Sequence, residues 1–336
     1  MAIKIALIGL GNVGSCFLQI LTQKASLLEE KYGIRFKTVA IFEIDGALVN
    51  EEGINVAKLM GDTSQMRDSS DWSKDVKAID AIPSLDLDVC IETTPTNPET
   101  GQPALGHVLT AIEHGIDVVT SNKGPFYLEY KKIKDLAKKK DALVKYEATV
   151  MSGVPILSTK EDLMGTEFTG IRAILNGTCN YILSRMTSEG VPFEIALTEA
   201  QELGYAEADP TLDIEGYDAA GKLVILANEL LAWERSITDV EIKGIKKITP
   251  QAIELAKSDG YLIKHLAIVE HGELIVEPRL IPRQSPLNIN GTLNVVELQT
   301  KHAGPIVLMG RGAGGCEAAS AILNDLLVIA REKHPP

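Results

Sequence analysis

Over the first 150 residues, short β-branched runs alternate with longer helix-like stretches. Ile3–Ile8, Phe36–Phe42, Val89–Ile91, Val118–Thr120 and Leu143–Tyr146 have the length of strands, and Asn12–Lys31 and Glu129–Lys140 the length of crossover helices. This alternation predicts βαβ units on a parallel sheet, with ligands at the carboxyl ends of its strands. The Lys138-Lys139-Lys140 cluster suits a solvated helix C-terminus, where cations complement the macrodipole.

The pattern changes after Gly153-Val154-Pro155. Helical segments dominate from Pro192 to Trp233, and strand-like pieces follow at Leu262–Glu270, Leu274–Ile281, Val295–Thr300 and Ile306–Met309. His271-Gly272 reads as a hairpin turn. The chain closes with the turn Gly310–Gly315 and an apolar helix over Ala318–Ala330. The expected fold class is α/β: a Rossmann-type parallel-sheet dinucleotide-binding domain, joined to an α+β catalytic and dimerisation domain. Residues 1–150 with 310–336 are assigned to the first domain and 151–309 to the second. Two domains also suit a chain of 336 residues, too long for one ordinary core.

Composition narrows the function. Hydrophobic residues make up 45% and charged residues 24%, a globular balance, and the formal net charge of -13 repels a phosphate backbone. Nucleic acid is therefore not an expected partner. The histidines show no zinc-ligand spacing. The cysteines Cys16, Cys90, Cys179 and Cys316 lie far apart in apolar or small-residue settings, which predicts reduced, buried thiols. No secretory signal precedes the first strand, and no apolar run approaches the ~20 residues of a membrane span, so the expected setting is cytoplasmic.

The first chemical motif is Gly9-Leu10-Gly11-Asn12-Val13-Gly14, between a strand and a helix. Its first glycine permits a tight turn, its second lets backbone approach a pyrophosphate, and its third lets helix pack on strand. Glu43, after the second strand, is the candidate acid for the adenosine ribose and favours NAD over NADP. It lies 29 residues past Gly14, beyond the usual ~20, which requires a long crossover helix. Asp45 could take the same role, or both acids could cap a turn, so the choice between NAD and NADP stays open.

Three further stretches place polar groups in apolar company. Lys123 follows a buried-type strand and precedes a Gly-Pro turn, where a functional lysine outweighs an ordinary loop lysine. In Leu175–Leu183, a polar turn exposes backbone N–H groups and the Thr178 hydroxyl to a small polar substrate, or serves as a helix N-cap. Gly204–Lys222 holds five carboxylates before a lysine and an apolar helix. Asp218 and Lys222 share a helix face at i,i+4. A buried ammonium there needs partners, and a lysine so held can relay protons. The plain alternative is an ion-pair cluster capping a core helix.

Taken in order, these landmarks resemble homoserine dehydrogenase along nearly the whole chain. They are the glycine motif, Thr93-Thr94-Pro95-Thr96 with Gly101-Gln102-Pro103, Thr120–Pro125, Tyr146–Val150, Asn176-Gly177-Thr178, Gly204–Lys222 and Gly310–Gly315. The resemblance implies interconversion of L-homoserine and L-aspartate 4-semialdehyde with NAD or NADP. It implies that Lys123 and Lys222 are catalytic and that Asp218 orients Lys222. Glu207 and Asp213 would bind the substrate amino group, with Tyr205, Gly177 and Thr178 in the pocket. Thr93, Thr94, Pro95 and Gly312 would join Gly9, Gly11, Asn12, Val13, Gly14 and Glu43 at the cofactor. Glu147, Val150, Ser152 and Val154 would hold a monovalent cation, usually sodium, and strands of the second domain would join a homodimer. The sequence departs from the family's pattern at Glu43-Ile44-Asp45, which bears on the cofactor and not on the reaction.

Two rivals have distinguishing features. A phosphorylating semialdehyde dehydrogenase would need a thiolate, for which Cys179 in Gly-Thr-Cys-Asn is the candidate. A non-catalytic dinucleotide sensor would use the carboxylates only as a helix cap. A sugar or imino-acid reductase fits Gly204–Lys222 less well.

Overall fold

The computed structural model describes residues 2–59 and 66–333. Met1, residues 60–65 and residues 334–336, counted with the first domain by sequence, lie outside the described residues. The chain divides into two compact units, residues 1–153 with 314–336 and residues 154–313. The helices that matter below are α1 (Asn12–Tyr32), α2 (Ala104–Glu113), α3 (Gly124–Leu128), α4 (Gly177–Glu189), α5 (Tyr217–Leu230) and α6 (Gly315–Lys333).

The first unit is built on a seven-stranded sheet ordered β4-β3-β2-β1-β5-β6-β7. Its strands are β1 (Ala2–Ile8), β2 (Arg35–Glu43), β3 (Gly46–Val49), β4 (Trp72–Lys74), β5 (Val89–Glu92), β6 (Asp117–Thr120) and β7 (Val144–Lys145). β2, β1, β5, β6 and β7 run parallel, as the alternation predicts. β3 and β4 extend the sheet by antiparallel pairing. They are too short for a periodic signal to betray them. The strand order reverses between β1 and β5, and loops leaving the carboxyl ends of β1, β2, β5 and β6 meet there, the usual place for a ligand. α1 has 21 residues and ends at Gly33, whose φ of 66° closes the helix in the left-handed region. That length accounts for the long interval between Gly14 and Glu43. α1 and α6 pack together, and Ile5, Leu7, Phe17, Ile91, Ile322 and Leu326 share one core.

The expectation of four reduced thiols fails at two of them. Cys16 and Cys316 form a disulfide across a sequence separation of 300, with Cα atoms 5.3 Å apart. The pairing is invisible in the spacing, because it arises only when the N-terminal ends of α1 and α6 come side by side. Cys90 and Cys179 are free and buried, as expected.

The second unit carries a six-stranded sheet ordered β13-β12-β8-β10-β11-β9. Its strands are β8 (Phe168–Ile174), β9 (Val240–Ile242), β10 (Tyr261–Glu270), β11 (Glu273–Pro282), β12 (Leu293–Thr300) and β13 (Ile306–Arg311). β10 and β11 form the expected hairpin, with His271 and Gly272 both at positive φ (51° and 85°), as a tight two-residue turn requires. β8, between β12 and β10, was not foreseen; Gly170 and Arg172 interrupt its apolar pattern. α5 buries Leu223, Val224, Ile225, Leu226 and Ala227, so the apolar run after Lys222 is a core helix. Among the described residues, no helix is long and apolar enough to cross a membrane.

Candidate active site

In the first unit the glycine turn is gripped by the end of β2. Gly9 N–H donates to Phe42 O at 2.8 Å, and Leu10 N–H donates to the Glu43 carboxylate. The three glycines do three jobs. Gly9 has φ of 91°, and a Cβ there would lie 3.2 Å from the backbone of Thr93 and Thr94. A Cβ on Gly14 would stand 2.2 Å from Gly9 O, so only glycine lets α1 approach the turn. A Cβ on Gly11 would meet nothing within 4 Å, so backbone here is open to a ligand. Asn12 and Val13 follow as the first residues of α1, whose free N–H groups suit a pyrophosphate. A cavity of about 560 Å³ opens beside the turn, lined among others by Leu10, Asn12, Ser15, Val56 and Gly315.

The next loop, after β5, holds Thr93, Thr94 and Pro95. The Thr93 hydroxyl lies 2.7 Å from Gly9 O and 3.0 Å from Ile8 O, tying this loop to the glycine turn. Glu92, 1% exposed, accepts from the Thr94 N–H at 3.1 Å, from the Thr94 hydroxyl and from the Thr120 hydroxyl at 3.3 Å. Asn122 completes the frame. Its Nδ2 donates to Thr94 O and Pro95 O at 2.9 and 3.2 Å, and its Oδ1 accepts from the Thr96 hydroxyl and Gly124 N–H, both at 3.1 Å. Lys123 is the residue after Asn122 and caps α3, in which Pro125 stands where its missing N–H costs nothing. Glu92 and Asn122 were not singled out by sequence. Glu92 ends a buried-type apolar run, whereas Asn122 is one polar residue among several in Thr120–Lys123, with nothing in the spacing to set it apart.

Glu147, Val150 and Ser152 lie on one buried turn of the first unit, and Ser152 has a φ of 48°. Glu147 N–H donates to Asp325 at 2.9 Å. Glu147 supplies one buried carboxylate on this turn, and oxygen is the donor type that monovalent and alkaline-earth cations take. Val154 is buried at the start of the second unit.

In the second unit a polar cluster forms around Asn176, which ends the segment after β8 and caps α4 by accepting from Cys179 N–H at 2.8 Å. Its Nδ2 lies 2.6 Å from Asp213 Oδ1 and 2.9 Å from Asp218 Oδ2. Lys222, 8% exposed, donates to that same Asp218 oxygen at 2.9 Å and to Leu175 O at 2.8 Å. Leu175 O also accepts from Asn294 at 2.8 Å. The i,i+4 pair expected from sequence is thus a buried, hydrogen-bonded pair, the class whose disruption costs several kcal/mol rather than tenths. Burial, then repulsion from Asp218, pushes the Asp213 carboxyl above its ordinary range, while Asn176, Thr178 and Lys222 oppose the shift.

Thr178 and Gly177 open α4. The Thr178 hydroxyl lies 2.7 Å from Tyr205 O and 3.0 Å from Asp213 Oδ2, and its one proton serves one of them at a time. A Cβ on Gly177 would come within 2.8 Å of Thr292 O. Tyr205 presents an exposed ring 5.0 Å from that of Tyr181. Glu207 is exposed in the loop that follows, and its backbone carbonyl accepts from Gln201 Nε2 at 3.1 Å. The structure therefore brings Asp213, Asp218, Lys222, Thr178 and Gly177 together and leaves Glu207 outside their hydrogen-bonded network. Gly312, after β13, packs on Asn294, whose carboxamide a Cβ would meet at 2.0 Å.

Cys179 is not the nucleophile that the phosphorylating rival needs. Its thiol is buried and donates to Asp213 O at 3.1 Å; burial, then Asp213 and Asp218, push it well above the ordinary thiol range. A thiolate is the nucleophilic form, and this environment disfavours it.

Known proteins resemble the chain over both of its units. The family model for homoserine dehydrogenase matches residues 155–327, and that for the homoserine dehydrogenase NAD binding domain matches residues 9–147. The chain is 45% identical to a homoserine dehydrogenase of Methanocaldococcus jannaschii over 97% of its own length and 98% of that protein's. It is 35% identical to an NAD(+)-dependent homoserine dehydrogenase of Pseudomonas canavaninivorans, over 97% and 96% of the two chains. A solved homoserine dehydrogenase structure from Thiobacillus denitrificans superposes with a TM-score of 0.86 at 32% identity, covering 99% of this chain and 74% of that one. With both of its units matched in order, the chain belongs to the homoserine dehydrogenase family.

Proposed function

We propose that Lys222 is the proton-exchanging group of the reaction and that Lys123 is the second lysine acting on the reacting oxygen. The chain is a homoserine dehydrogenase, interconverting L-homoserine and L-aspartate 4-semialdehyde with NAD or NADP. When bound, the nicotinamide takes up or returns the hydride at the carbinol carbon. The residues of this chain supply alignment and charge. The observation that carries the reading is the buried Lys222 ammonium, held by Asp218 and Leu175 O beside a second carboxylate, Asp213.

An ammonium at the reacting oxygen stabilises alkoxide character as it develops and exchanges its proton with that oxygen. Asp218 holds Lys222 in place through the hydrogen bond at 2.9 Å. Asp213, crowded by Asp218, gains from a cationic partner, and the α-ammonium of homoserine is such a partner. Thr178, Gly177 and Tyr205 line this side, and Glu207 adds a further carboxylate from its exposed loop. Gly9, Gly11, Asn12, Val13 and Gly14 would hold the pyrophosphate, with Thr93, Thr94, Pro95, Glu43 and Gly312 completing the cofactor contacts. Glu147, Val150, Ser152 and Val154 would hold a sodium ion in a structural role. The working form is a cytoplasmic homodimer with no nucleic-acid partner, in keeping with the net charge of -13.

The test follows nicotinamide absorbance with L-homoserine and each dinucleotide, for wild type, Lys123→Ala and Lys222→Ala. Turnover by wild type and a loss of ~1000-fold or more in kcat for each variant, with dinucleotide binding retained, is expected. Turnover persisting in a variant would remove that lysine from the mechanism.

A further inference from the structure

We infer that Asp45 is a specificity-determining residue, which engages Arg67 and so makes the nucleotide pocket select NAD(H) over NADP(H). The inference deepens the proposed function and rests on its assignment of the dinucleotide to the β1–α1 turn. The two cofactors differ only at the adenosine ribose, a 2′-hydroxyl against a 2′-phosphate, and in this fold that ribose lies past the end of the second strand. There an acid recognises the hydroxyl and an arginine accommodates the phosphate.

This chain has both kinds of group at that place. Glu43 ends β2 and is fixed by the Leu10 N–H of the glycine turn. Ile44 and Asp45 form the tight turn to β3, whose first residue Gly46 pairs with Glu43. Arg67 is the arginine. Its Nε donates to Asp45 Oδ2 at 2.7 Å and its Nη2 to Asp45 Oδ1 at 2.9 Å, a two-pronged pair. Its guanidinium lies over the Trp72 ring, 5.5 Å from the centroid. Trp72 is in turn seated against Gly46, where a Cβ would come within 2.7 Å of the ring. The pair is thus built into the β2–β3–β4 edge.

The consequence is electrostatic. Asp45 occupies the Nε–Nη2 edge of the guanidinium and neutralises its charge, so a 2′-phosphate would have to displace the carboxylate there or bind on the remaining Nη1 side next to it. Glu43, Asp45 and Arg67 together carry one net negative charge, which repels a phosphate and tolerates a hydroxyl. Lys74, opposite Gly46 on β4, also acts on Asp45, so the proposal concerns Arg67 with Lys74 as background.

The experiment measures dissociation constants of NADH and NADPH by quenching of protein fluorescence, alongside kcat/KM with each cofactor. Wild type is expected to bind NADH more tightly. Asp45→Asn, which keeps the shape and removes the charge, is expected to shift the NADPH-to-NADH affinity ratio towards NADPH by ~10-fold or more. Asp45→Ser is expected to do the same, and adding Arg67→Ala to either variant should cancel the gain. A ratio unchanged in both single variants, a gain that survives loss of Arg67, or a wild type that prefers NADPH would each overturn the proposal. Because binding is read without turnover, failure of the dehydrogenase assignment would appear separately, as bound dinucleotide with no oxidation of homoserine.

Discussion

Asn122 holds Thr94 through the backbone: its Nδ2 donates to Thr94 O at 2.9 Å, while its Oδ1 receives Gly124 N–H at 3.1 Å. The loop that follows β5 and the loop that follows β6 are therefore one piece, and Lys123 is the residue between the two anchor points of the second. Asn122→Asp keeps the shape and the acceptor but sets an oxygen against the carbonyls of Thr94 and Pro95. We expect kcat to fall by ~100-fold, the scale of a displacement near 1 Å in a catalytic group. The KM for homoserine should move by less than threefold, about 0.6 kcal/mol. Steady-state kinetics separates the two, and an unchanged kcat would mean that Lys123 does not depend on this bridge.

Acid should weaken the second unit through His265. Its imidazole is buried on β10, with Nε2 3.0 Å from Lys243 O, and burial pushes its pKa down from 6.5 to about 4. The unfolded chain then binds a proton that the folded chain refuses between these values. The neutral histidine's contribution is complete above pH 6.5 and is lost as pH falls towards 4, by about 3 kcal/mol in all. Urea titrations across this window should show a flatter pH dependence in His265→Gln than in wild type. Equal slopes would exclude His265 as the source.

Reduction should loosen the first unit. The Cys16–Cys316 bond closes a loop spanning 300 positions, and breaking it is expected to cost about 2–5 kcal/mol through the unfolded chain's entropy. Thermal unfolding with and without a dithiol reductant reads the effect. Cys316→Ser should match reduced wild type and should not respond to the reductant.

What sequence made legible was whatever a short stretch decides by itself. The Gly9–Gly14 turn, the His271-Gly272 hairpin and the Asp218–Lys222 face each depend on spacings of a few residues. The polar clusters are legible only in part, because their hubs are set by residues that meet from afar. Asn176 joins Asp213 and Asp218 across 37 and 42 positions, and Glu92 reaches Thr120 across 28. The Cys16–Cys316 pairing lies at the extreme of the same difficulty. β3 and β4 escaped for a different reason, being four and three residues long.

The placement of α6 has a consequence for synthesis. Ala318, Ala319, Ile322, Leu326 and Ile329 lie in the same core as Ile5, Leu7 and Phe17, yet they leave the ribosome after every residue of the second unit. A nascent chain can finish the second unit while the nucleotide-binding core still lacks one wall, with the apolar face of α1 uncovered. The half of the enzyme that begins first is thus completed last. Its vulnerable interval is the time taken to translate everything between Gly153 and Gly314.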